Sequence, residues 1–300
     1  MGNIFFFDWE ISLMVFLQSF ESKLTTALAT FFTMLGEEYF LILILGLLYW
    51  CVNKELGRRV ALITCGGAIT GSLLKGLVIR RRPYMDNPEI KCIRAAHPDE
   101  DIMVPALQGY SMPSLHSSMS ASLYGGIARC VRKKWAVAAA ILLPFFIGLS
   151  RPYLGVHYPT DVLSGWALGA VCVLVMGGIA EKRGYKFGFA VLLIVGAAGF
   201  IYCRDDEFFS LYGVTLGIML GFVYEERYVN FENAKKWWSY IVRPVLGVLI
   251  FAVLNVVLKL PVKNISAEEH LTVILIYRLF RYTVTTFCII GPYTKAFKKI

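Results

Sequence analysis

At 300 residues with 57% hydrophobic side chains and a mean hydropathy of +0.61, the chain is too apolar for one or two soluble domains. A net charge of +9 would suit a nucleic-acid ligand in a soluble protein. Here Lys and Arg cluster in NKELGRR, ARCVRKKW, EKRGYK, ERYVNFENAKK and KAFKKI, every second connection between apolar runs. The positive-inside rule assigns such connections to the cytoplasm, so the charge encodes topology and the partner is a lipid bilayer, with no nucleic acid.

In chain order, MGNIFFFDWE carries acids where a signal peptide needs a basic start, and it lacks the Ser or Thr of a myristoylation signal. Residues 1–38 mix Asp8, Glu10 and Glu21 with bulky apolar side chains, which predicts a segment lying in the membrane interface. If 5–35 crosses instead, the N-terminus moves inside and nothing later changes. Nine runs of spanning character follow, over 39–53, 59–79, 114–130, 134–150, 159–180, 186–202, 208–224, 238–258 and 268–294. The fold class is an all-α polytopic membrane protein, one membrane domain in which the first run leads inward. The small residues of CGGAITGS would let the second run pack closely on a neighbour. The one long connection, between the second and third runs, reads equally as a lid or as a solvated outer loop with an acidic tip at Asp99, Glu100 and Asp101.

Seven scattered cysteines show no CxxC and no Cys/His cluster of metal-binding spacing, so neither a metal nor a cofactor is expected. Cys92 and Cys203 fall on the same outer face, the geometry a disulfide would need. Arg278 and Arg281 lie mid-span in the last run, where pairing with carbonyls, Asn255 or an acid of a neighbouring span is favoured over a second polar pocket. Asn264-Ile265-Ser266 is a glycosylation sequon on the outer side.

Three polar sets fall on that same side: Lys75 with Arg82-Pro83, Pro113-Ser114-Leu115-His116, and Ser150-Arg151 with His157 and Asp161. Three fixed cations suit phosphate oxygens, and Arg suits them bidentately. Ser114 stands where a helix should begin, with Pro113 as its first residue, and a helix N-terminus adds unpaired N–H groups. His157 and Asp161, four apart, fit a nucleophile whose second ring nitrogen is held by a carboxylate. His116 fits the general acid that protonates the leaving oxygen. The chemistry is metal-independent phosphoryl transfer through a phosphohistidine.

The ordered pattern Lys-x6-Arg-Pro, Pro-Ser-x-His, Ser-Arg-x5-His-x3-Asp resembles the type 2 phosphatidic acid phosphatase superfamily over residues 36–180. That resemblance implies a helical bundle with a six-helix phosphatase-type core, the catalytic membrane core falling in 39–180 and 181–300 adding further helices of the same membrane domain. It also implies His157 as nucleophile backed by Asp161, His116 as acid, and phosphate held by Lys75, Arg82, Ser114, the backbone of Leu115 and Arg151. The site would face the extracytoplasmic side. Leu115 departs from the family's usual glycine and implies an altered pocket shape. GEEYFLILILGLLYW and YSMPSLHSSMS are similar to the sphingosine-1-phosphate phosphatase branch, so the expected substrate is a lipid phosphate. Undecaprenyl diphosphate and phosphatidate fit the same chemistry. A soluble ester, as in glucose-6-phosphatase, and a non-hydrolytic lipid binder or transporter stay open as alternatives.

Overall fold

The computed structural model describes residues 2–262 and 267–298, which are helical but for turns, loops and one isolated bridge between Asn3 and Arg80. The Asn264-Ile265-Ser266 sequon lies outside them. α1 (Asp8–Ser19) and α2 (Lys23–Met34) have 12 residues each, too short to cross a hydrocarbon core of about 30 Å. Ser22 caps α2 by accepting the Thr25 N–H. After α2 the chain bends by 52° into α3 (Glu38–Gly46), which runs on as a π-helix to Val52. The first expected run is therefore the second limb of a bent helix pair.

The remaining runs form α4 (Lys54–Val78), α5 (Leu115–Val131), α6 (Lys134–Tyr153), α7 (Pro159–Arg183), α8 (Tyr185–Gly196), α9 (Asp206–Tyr228), α10 (Ser239–Val257) and α11 (Ala267–Ile290). Among the described residues seven helices are long and apolar enough to cross a membrane, or eight if the bent pair counts as one span. The other run corresponds to α5, which has 17 residues and is largely buried among its neighbours.

The bundle is organised around α4 and α5. α5 packs on α4, α6 and α7, while α8 and α9 close the other side of α4; α11 packs on α9, and α10 covers α3 and α11. Glycines decide how close the inner helices come. A Cβ on Gly67 would lie 2.2 Å from the Ser122 Oγ, and one on Gly71 would lie 2.5 Å from Leu115, so CGGAITGS does seat α4 against α5. On the far side of α5 a Cβ on Gly169 of α7 would meet Ala121 at 2.6 Å and the Ser118 carbonyl at 2.8 Å.

Several charges in the bundle are paired. At the α4 N-terminus the buried Glu225 accepts from Lys54 at 2.8 Å, Arg58 at 2.9 Å, the Tyr49 hydroxyl at 3.0 Å and the Phe231 N–H at 3.0 Å. In the last helix Arg278 pairs with Asp206 of α9, the acid on a neighbouring span that its position calls for. Arg281 is buried with its guanidinium 5.0 Å from the Tyr282 ring centroid. All seven cysteines are free, Cys92 and Cys203 included.

Gly169→Val should destabilise the protein by about 1–3 kcal/mol through overpacking of the α5–α7 contact. Gly178→Ala, where the nearest atom to an added Cβ is 4.0 Å away, should be neutral or slightly stabilising. Melting temperatures of the two variants in detergent check this contrast.

Candidate active site

α4 stops at Val78 because Ile79 turns into the left-handed region at φ 45° and ψ 40°. Pro83 does not end this helix; it opens a separate turn, Pro83–Asp86. The early stop frees Arg82 to fold back. Its Nη1 donates to the Val156 carbonyl at 3.0 Å, and Nη2 and Nε reach the Gln108 carbonyl at 2.7 and 3.0 Å. The first polar set is thereby tied to the residue before His157 and to the long loop. Gln108, itself buried, clamps the His97 backbone through both its side-chain oxygen and nitrogen. The base of the loop is therefore fixed to the site, while its tip at Asp99, Glu100 and Asp101 is exposed.

α5 begins at Leu115 with Ser114 as its N-cap, accepting from the Ser117 N–H at 3.4 Å, and Pro113 lies outside the helix. The Ser114 N–H donates to the Asp161 carbonyl at 2.9 Å, which docks the second polar set on the third. Leu115 and His116 then occupy the first turn, where backbone N–H groups have no acceptor within the helix. The Leu115 side chain lies against Gly71 of α4, so its added bulk enters a helix interface.

Arg151 in the last turn of α6 donates to the Thr33 hydroxyl of α2, and its buried Nε has no partner among the described residues. The buried Nε2 of His116 and Nδ1 of His157 also make no hydrogen bond among the described residues. Each of these atoms sits where burial without an anion or acceptor is unfavourable.

His157 precedes α7, so it does not share a helical face with Asp161. Asp161 folds back as the third residue of α7; its Oδ2 accepts the Tyr158 N–H at 2.8 Å and stands 3.6 Å from His157 Nδ1. This leaves the His157 Nε2 as the ring nitrogen turned away from the carboxylate. Burial, with Arg151, Arg82 and Lys75 adding repulsion, holds the imidazole well below its usual pKa of 6.5. The ring is neutral at neutral pH.

Two residues of this site were not singled out by the sequence motifs. Arg80, 1% exposed, donates from Nη1 to Asp161 Oδ1 at 2.7 Å and from Nη2 to Glu10 Oε2 at 3.0 Å. Its guanidinium lies 3.8 Å from the Tyr158 ring centroid. Glu10, fully buried on α1, also accepts the Thr160 N–H and hydroxyl at 3.1 and 2.6 Å. The sequence signal was present as Arg80-Arg81-Arg82 at a span end, a run that needs acids nearby. Nothing in the spacing indicated which acid, because Glu10 is 70 residues away.

The helical membrane bundle brings Lys75, Arg82, Arg151 and two histidines to one end, a cluster of cations around neutral rings. Residues 56–185 match the PAP2 superfamily, and residues 209–300 match the transmembrane extension of PAP2 superfamily phosphatases. The chain thus carries a PAP2 superfamily domain followed by the PAP2 transmembrane extension.

Among its relatives, phosphatidylglycerophosphatase B of Bacillus subtilis is 37% identical over 82 residues, covering 24% of this chain and 40% of that protein. Lipid phosphate phosphatase delta of Arabidopsis thaliana is 29% identical over 143 residues, 44% of this chain and 32% of the relative. A probable sphingosine-1-phosphate phosphatase of Dictyostelium discoideum is 28% identical over 187 residues, 56% of this chain and 42% of the relative. The chain thus spans less than half the length of these three relatives. No solved structure matches it significantly.

Arg80→Met removes the cation between two buried carboxylates and should destabilise the protein by about 3–5 kcal/mol. The double variant Arg80→Met with Glu10→Gln should recover part of that loss. Thermal unfolding of the two proteins measures the difference.

Proposed function

We propose that the chain is an integral membrane phosphatase that hydrolyses a lipid phosphate through a phosphohistidine at His157, without a metal. The observation that carries this reading is the convergence of the three polar sets: Arg82 bonds the Val156 carbonyl, Ser114 bonds the Asp161 carbonyl, and Arg80 bonds the Asp161 carboxylate. The relatives' names, which include lipid phosphate, phosphatidylglycerophosphate and sphingosine-1-phosphate phosphatases, support a lipid substrate. So does the position of the site at the end of spanning helices, where the head of an amphiphile meets the interface.

The phosphate is held by Lys75, Arg151, the remaining donors of Arg82 and the first-turn N–H groups of α5. The neutral His157 Nε2 attacks phosphorus; the N–P bond forms as the bond to the ester oxygen breaks. His116 gives its proton to the departing oxygen. The substrate's negative charge offsets the surrounding cations and lets His116 hold that proton in the complex. Water then attacks the phosphohistidine, returning a proton to His116 and freeing inorganic phosphate. Asp161, ion-paired with Arg80, balances the imidazolium character that develops on His157. Lys54, Arg58, Arg129, Lys182 and Arg183 stand near helix ends remote from Lys75, about 30 Å of helix rise along α4, which by the positive-inside rule supports a site on the extracytoplasmic side.

Phosphate release from a panel of lipid phosphates by purified protein tests the activity, and it should persist in EDTA. His157→Gln should lose it essentially completely, and His116→Asn should lose about 10²–10⁴-fold. Rapid-quench labelling with a ³²P substrate should trap phosphate on His157. Equal release by wild type and His157→Gln would remove the proposed nucleophile.

The pH dependence follows from the depressed His157 pKa. Only the neutral ring attacks, so the acidic limb of kcat/KM, where His157 becomes protonated, should lie below about pH 6.5. An acidic limb centred above that value would contradict the assignment.

A further inference from the structure

The structural carboxylates of this protein share one pattern. Glu225 and Glu10 are fully buried, and each accepts four hydrogen bonds from groups of the chain. Glu207 breaks that pattern. It is the second residue of α9, and the Asp205 side chain caps this helix by accepting the Phe208 N–H at 2.9 Å. The cap directs the first turn of α9 at the end of α4, where Glu207 Oε2 accepts from Lys75 Nζ at 2.7 Å. The lysine side chain is 5% exposed, whereas the glutamate side chain is 43% exposed. Its charge also acts on Arg82 and Arg151, so the carboxylate lies in the field of all three cations assigned to phosphate.

A carboxylate and a phosphate offer the same anionic oxygen acceptor to an ammonium. A carboxylate held by one hydrogen bond and open to solvent is easily displaced. One held by four buried donors is not. We propose that Glu207 is an exchangeable counter-ion of the phosphate site. Its carboxylate occupies Lys75 between turnovers, yields the ammonium to an arriving phosphate, and returns to expel the product phosphate. This rests on the reading of Lys75 as a phosphate ligand, and it gives the first turn of α9 a role in setting the affinity of the core for phosphate.

The sign of the effect separates this role from a structural one. A displaced Glu207 repels the bound phosphate, so removing its charge strengthens phosphate binding. If the glutamate only positioned Lys75, its loss would weaken binding or leave it unchanged. The test is calorimetric titration of inorganic phosphate into full-length wild type, Glu207→Gln and Lys75→Met in detergent, with kcat and KM measured on one lipid phosphate.

Glu207→Gln should bind phosphate more tightly by about two- to fivefold, the size expected for a partly exposed charge pair. Its KM should fall in parallel without a rise in kcat. In the Lys75→Met background the Glu207→Gln change should add little. Glu207→Asp, which keeps the charge at shorter reach, should shift affinity in the same direction by less, and it serves if the glutamine variant does not fold. Equal or weaker phosphate binding by Glu207→Gln, with wild type still hydrolysing lipid phosphate, overturns the role of Glu207 alone. Failure of wild type and variant alike to bind phosphate overturns the cation cradle itself.

Discussion

A guanidinium shut between two carboxylates is the constraint on which the site depends. Arg80, Glu10 and Asp161 are all removed from water, and any one of them left unpaired there would cost several kcal/mol. The three therefore have to meet, and their meeting fixes more than charge. It holds the interfacial α1 against the start of α7, sets the orientation of Asp161 beside His157, and keeps residues 79–81 in the turn that releases Arg82. The bridge between Asn3 and Arg80 extends the same fastening to the beginning of the chain.

From that fixed point the division of labour among the cations follows. Arg82 gives most of its donors to the carbonyls of Gln108, Gly109 and Val156, so it joins loop to loop as much as it faces a ligand. Arg151 keeps a buried Nε unbonded, and Lys75 is engaged by a solvent-accessible acid. The cations thus range from committed to exchangeable. A fixed frame with a few free donors costs little reorganisation when a phosphoryl group arrives.

Hydropathy located seven of the nine expected runs as helices long and apolar enough to span, because a backbone in hydrocarbon has to bond internally and a helix does this over a predictable length. The three polar sets were legible for a related reason: charged side chains at span ends are expensive, and those of Lys75, Arg82, Arg151 and His157 recur in one order. Boundaries were less legible. The helix stop at Ile79 is set by tertiary contacts with Asn3, which no local rule anticipates, and Pro113 is displaced from α5 by the Ser114 cap. The nearness of His157 to Asp161 comes from a capping turn. Partners remote in sequence stayed invisible: Glu10 to Arg80 and Glu207 to Lys75 are contacts across 70 and 132 positions. Periodicity and spacing report on neighbours a turn away, and these pairs exist only once the bundle is assembled.

The glycine seams at Gly67, Gly71, Gly165 and Gly169 leave the backbones of α4, α5 and α7 nearly touching. Three helices joined that closely cannot slide or tilt past one another without collision, so they behave as a single stiff pillar carrying His116, His157 and Lys75. Whatever yielding a bulky amphiphile requires must come from the periphery: the broken limb of α2 and α3, the loop held by Gln108, and the first turn of α9.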